Sequence, residues 1–83
     1  MEKRLSELKV GEKGIIVRIE GSGFTKKRLL DMGLVKGAEI TVIRKAPLGD
    51  PIEFLLKGYN LSLRKKDSDS VYVITEEGAE NGV

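Results

Sequence analysis

The sequence predicts a mainly β domain: a small five-stranded barrel with one short helix inserted between its first two strands. Three observations carry that expectation. Five short runs rich in β-branched and other apolar residues follow one another closely, separated by turn residues. One stretch alone, Phe24 to Met32, switches to helical period. The chain has 83 residues and no cysteine, so one core must hold it without disulfides, in a sheet curled to hide its edges.

Each element has a local reason. Ser6 is placed to cap a short helical turn at Glu7-Leu8, and Val10 to Gly14 bends the chain into the first strand. Gly14 to Glu20 reads as that strand, with Ile15, Val17 and Ile19 on one face and Ile16, Arg18 and Glu20 on the other. Gly21-Ser22-Gly23 breaks it. Phe24, Arg28, Leu29 and Met32 then recur at helical offsets, with Leu30 on an adjoining face. Ser22 or Thr25 can cap this helix, Gly33 stands where a left-handed residue is wanted, and Leu34 can fold back as in a Schellman ending. Ala38 to Lys45 and Pro51 to Lys57 are the second and third strands. Gly58-Tyr59-Asn60 reads as a tight connection into Leu61 to Lys65, Lys66 to Asp69 as a polar turn, and Ser70 to Thr75 as the fifth strand. Residues 1–75 form one domain, and residues 76–83, with three Glu and no basic residue, read as a disordered acidic tail.

Composition excludes several chemistries. The chain has neither histidine nor cysteine, and so lacks the commonest general base and the soft and borderline metal ligands. No catalytic residues and no metal site are expected, and no cofactor is implied. No apolar run approaches the ~20 residues that span a bilayer, and the start, Met1 to Leu8, has no apolar signal-peptide core. A soluble cytoplasmic protein is the expectation, without direct membrane insertion. The net charge of +2 becomes +5 over residues 1–75, concentrated at Lys26-Lys27-Arg28, Arg44-Lys45 and Arg64-Lys65-Lys66.

The segment Ala46-Pro47-Leu48-Gly49-Asp50-Pro51 is the most distinctive loop. Its prolines restrict the backbone, Gly49 supplies the turn and Asp50 can accept from nearby amides. A loop so restricted presents Leu48 to a partner at little entropic cost. The cations at Lys26, Lys27 and Arg28 lie in the first half of the helix, the less favourable end for positive charge, which points to recognition over stability.

With the elements placed, the architecture reads as an SH3-like barrel with an inserted helix. Leu29-Leu30-Asp31-Met32-Gly33-Leu34, Gly37, Ala46 to Ile52, Gly58 and Leu61-Ser62-Leu63-Arg64-Lys65 together resemble the FeoA family, in order and spacing, from about Leu5 to Val73. The resemblance implies a non-enzymatic accessory protein of bacterial ferrous-iron uptake. Its implied partner is the cytoplasmic part of the FeoB membrane transporter, whose assembly or nucleotide turnover it would modulate. On that reading Leu48, Pro47, Pro51 and Met32 are contact residues, Lys26, Lys27 and Arg28 steer association, and Gly33, Gly49 and Asp50 hold the backbone. If the barrel brings the helix end and the loop together, they form one surface. Leu29 and Leu34 read as core, and Tyr59 as a half-buried tip residue. Three alternatives stand beside it: an arginine inserted into the transporter's G domain, Arg28 before Arg64; nucleic-acid binding, for which exposed aromatics are scarce; and weak self-association through a sheet edge.

Overall fold

The computed structural model describes residues 1–75, so the expected tail at 76–83 lies outside the described residues. The elements are β1 (Glu2–Arg4), a 3₁₀ turn (Leu5–Glu7), β2 (Lys13–Ile19), α1 (Gly23–Asp31), β3 (Glu39–Lys45), β4 (Ile52–Leu56), β5 (Tyr59–Leu63), α2 (Lys65–Ser68) and β6 (Val71–Ile74). The strands form one antiparallel sheet in the order β1-β6-β2-β3-β4-β5. The fold is therefore mainly β with an inserted helix, as expected, but with six strands where the sequence predicts five. The added strand, β1, is polar in sequence. It pairs along β6 with Glu2 opposite Ile74 and Arg4 opposite Tyr72, and its three charged residues carry no apolar alternation to announce it.

The N-terminal turn is also displaced from its expected place. It covers Leu5–Glu7, with the Arg4 amide donating to Glu7 Oε1 at 2.8 Å. Ser6 is not its cap; the Ser6 hydroxyl donates to Asp69 Oδ1 instead.

In β2 the expected alternation fails. Pairing with β6 slips between Ile16 and Arg18, so Ile16 and Ile19 both face the core while Ile15 is part-exposed. An extra residue in one strand of a pair shifts the phase of every side chain after it. A second slip, between Val42 and Arg44 in β3, turns Arg44 outward to meet Glu53 at 2.5 Å.

Helix α1 follows local chemistry closely. The Ser22 Oγ accepts from the Thr25 amide at 3.2 Å. At the other end the Leu34 amide donates to the Leu29 carbonyl at 3.1 Å and the Gly33 amide to Leu30 at 2.9 Å. Those two bonds define a Schellman ending, and Leu29 and Leu34 pack beneath it, fully buried. Phe24, by contrast, is 80% exposed and not part of the buried stripe.

Two further expectations need correction. The β4–β5 turn is Lys57-Gly58, with φ of 51° and 85°, so Tyr59 and Asn60 already belong to β5. That is the geometry of a two-residue hairpin matched to strand twist. Residues 66–69 are not a solvated turn: α2 buries Asp67 and Ser68.

Phe54 and surrounding Leu, Ile and Val side chains make a single core, with the partly buried Met32 packed against it. Each fully buried Leu, Ile or Phe contributes about 1.5–3 kcal/mol, against less than about 1 kcal/mol for an exposed pair such as Lys27–Asp31. Core packing therefore decides the fold.

Gly33 gives a direct test. Its φ is +100°, and a Cβ there would lie 2.5 Å from the Tyr59 hydroxyl oxygen. Gly33→Ala should lower the unfolding free energy by about 1–2 kcal/mol in denaturant titrations. Part of that loss should disappear in a Tyr59→Phe background, which removes the opposing oxygen. An equal loss in both backgrounds would exclude the steric share.

Candidate functional site

The β3–β4 connection, Ala46 to Pro51, is fastened at three points. The Ala46 amide donates to the Pro51 carbonyl at 3.0 Å, and the Gly49 amide to the Ala46 carbonyl at 2.7 Å. Gly49 has φ +86°, which a side chain would oppose, and the Asp50–Pro51 peptide is cis. The third tie differs from the expected one. Asp50 Oδ1 accepts no amide of its own loop but that of Lys65, at 2.9 Å, and so joins the loop to the first residue of α2. At the tip Leu48 is 96% exposed.

Beside the loop lies an open hollow of about 450 Å³, lined by Asp50, Pro51, Ser62, Leu63 and Arg64. An exposed apolar tip therefore stands next to a concavity. Ser62 and Leu63 are not among the sequence candidates, because only the β4–β5 register, Ile52 opposite Leu63, brings them to the foot of the loop.

Helix α2 also receives α1. Arg28 Nη2 donates to Asp67 Oδ1 at 2.9 Å, with 12% of the Asp67 side chain exposed. Lys27 pairs with Asp31 at 3.0 Å, while Lys26 and Arg64 have no ion pair among the described residues. As an arginine to insert elsewhere, Arg28 is thus the more committed and Arg64 the freer. Another cation, Arg18, lies 4.2 Å from the Tyr72 ring centroid. The hydrogen bonds it donates to Glu20 and then to Glu2 hold its pKa above the ordinary arginine value.

Met32 is not beside Leu48. The Tyr59 hydroxyl donates to the Met32 carbonyl, which sets the C-terminal end of α1 against the Leu56–Tyr59 end of the hairpin. The Pro-flanked loop leads into the opposite end, where Ile52 faces Leu63. The expected single surface of helix end plus loop is therefore not formed. The loop instead shares α2 with the middle of α1, through Asp50–Lys65 and Arg28–Asp67.

The curled six-stranded sheet, its inserted helix and its exposed loop define a small SH3-like domain built around surfaces. Among the described residues no group of three or more His, Cys, Asp or Glu converges as a metal site, and no helix is long and apolar enough to cross a membrane. The chain belongs to the FeoA family: the FeoA domain model matches residues 3–75. A relative in Porphyromonas gingivalis, an Fe(2+) transport protein A/Fe(2+) transporter FeoB fusion protein, is 49% identical over 70 residues; the match covers 84% of this chain and spans 8% of the fusion's length. The solution structure of a FeoA-like protein from Clostridium acetobutylicum is 36% identical, with a TM-score of 0.83 over 89% of this chain and 86% of that one. A Stenotrophomonas maltophilia FeoA, solved with zinc and described as a prokaryotic SH3 domain protein, is 26% identical with a TM-score of 0.74, covering 89% of each chain.

Asp50→Ala should free the Lys65 amide and lower stability by about 1 kcal/mol. Hydrogen exchange at Lys65 should quicken more than at the β2 amides. Unchanged exchange there would show that the loop and α2 are held by other contacts.

Proposed function

We propose that this protein is a non-enzymatic adaptor of ferrous-iron uptake that docks on the cytoplasmic part of a FeoB-like transporter and modulates its assembly or nucleotide turnover. The observation that carries this reading is Leu48, almost wholly exposed at the tip of a loop fastened at three points. A large apolar side chain presented without freedom to withdraw costs little further ordering on binding, and a central apolar anchor is where interface energy concentrates. The P. gingivalis fusion supports the choice of partner, since one polypeptide there joins the two proteins. Pro47 and Pro51 frame the anchor, and the hollow beside them offers a place for a partner side chain. Lys26 and Lys27 act at longer range, raising the encounter rate with an acidic face. Met32, part-buried at the far end of α1, contributes through the core it packs on more than through direct contact.

Binding to the detergent-solubilised transporter of the same organism tests the reading. Saturable binding should weaken at least about tenfold, or ~1.4 kcal/mol, with Leu48→Arg, while the variant keeps its melting temperature. Undiminished binding by a folded Leu48→Arg would move the contact off the loop. Absence of binding in every nucleotide state would refute the choice of partner.

A further inference from the structure

A second concave feature lies away from the Leu48 loop: a groove of about 240 Å³ between the second half of β2 and α1. Among its lining residues are Ile16 and Ile19, both buried, the part-exposed Leu30, and the cations Arg18, Lys26 and Lys36. These cations differ in their commitments. Arg18 already holds Glu2 at 2.7 Å and Glu20 at 2.9 Å. Lys26 and Lys36 have no carboxylate partner among the described residues, although the neighbouring Lys27 and Arg28 each have one.

Two lysines without counter-charges, flanking an apolar slot, specify a ligand that is apolar at its centre and negative at its margins. The volume falls below the roughly 300–1,000 Å³ of small-molecule sites, and suits one or two side chains of a peptide. Concavity also separates this from a lipid surface, which would need apolar side chains that protrude; the protruding Phe24 is not among the lining residues.

We infer that the groove between β2 and α1 is a second docking site, for an acidic segment of a partner protein that seats an apolar side chain against Ile19 and Leu30 and places carboxylates on Lys26 and Lys36. This site is separate from the Leu48 face, and a partner other than the transporter would satisfy it equally.

The probe is a fluorescein-labelled pentapeptide alternating glutamate and leucine, read by fluorescence anisotropy on the full chain. Binding should be saturable, weaken with added salt, and fall at least about tenfold in Lys26→Glu/Lys36→Glu, since reversed charges now repel the ligand. Leu30→Ser should weaken it with little change in salt dependence, and Leu48→Arg should leave it unchanged. Because Lys26 and Lys36 are exposed, the charge-reversed chain is expected to keep its melting temperature, and the single Lys36→Gln variant repeats the test with less perturbation. Equal binding of a lysine–leucine pentapeptide, or no effect of charge reversal, would overturn the inference. Tighter binding after removal of residues 76–83 would assign the groove to the chain's own acidic end. Binding only to phosphatidylglycerol vesicles, lost in the double variant, would assign it to lipid.

Discussion

One extra residue in β2 governs much of this structure. Without the slip between Ile16 and Arg18, strict alternation would put Ile16 and Ile19 on opposite faces of the sheet. With it, both reach the core. A chain with one buried Phe and otherwise aliphatic core residues cannot afford to leave either isoleucine outside, since each contributes about 1.5–3 kcal/mol when fully buried. The same slip leaves Arg18 on the outer face, over Tyr72 and between Glu2 and Glu20. Core closure and the groove beside α1 thus share one backbone irregularity.

Helix α2 is the second organising element, and it works through polar contacts. Four residues long, it cannot stand as an isolated helix. Its Lys65 amide meets Asp50, its Asp67 carboxylate meets Arg28, and Asp69 just after it meets Ser6. The loop, the inserted helix and the N-terminal turn therefore converge on one short segment. Its carboxylate at Asp67 is tolerable in a nearly closed position because a guanidinium satisfies it, and Arg28 remains partly in water.

What the sequence made legible was local. The Ser22 cap, the Gly33-Leu34 ending and the Leu29 core position all rest on residues within a few places of one another, where spacing alone carries the physics. The β-branched runs located five strands within a residue or two. β1 escaped because its pairing comes from the free edge of β6 and leaves no mark on Glu2-Lys3-Arg4. The burial of Asp67 escaped because its partner is 39 residues away. At the site, the restricted loop and its apolar tip were readable. The hollow at Ser62–Arg64 and the distance between Met32 and Leu48 were not, since both depend on the register of β4 against β5.

The distribution of charge separates what holds this domain from what is left to recognise a partner. Arg28, central among the basic residues of α1, is tied to Asp67 and would have to leave a nearly closed carboxylate behind to reach into another protein. Breaking such a pair by withdrawing one partner costs more than the pair contributes, because the remaining charge is left without compensation. Lys26, Lys36 and Arg64 have no such commitment among the described residues. Their charge is left uncompensated there and acts over roughly 10 Å at ordinary salt before it is screened. Leu48 offers the most exposed apolar side chain among the described residues. The short helix α2, tied to the loop through Asp50 and to α1 through Arg28, holds that apolar tip and the basic helix in fixed relation.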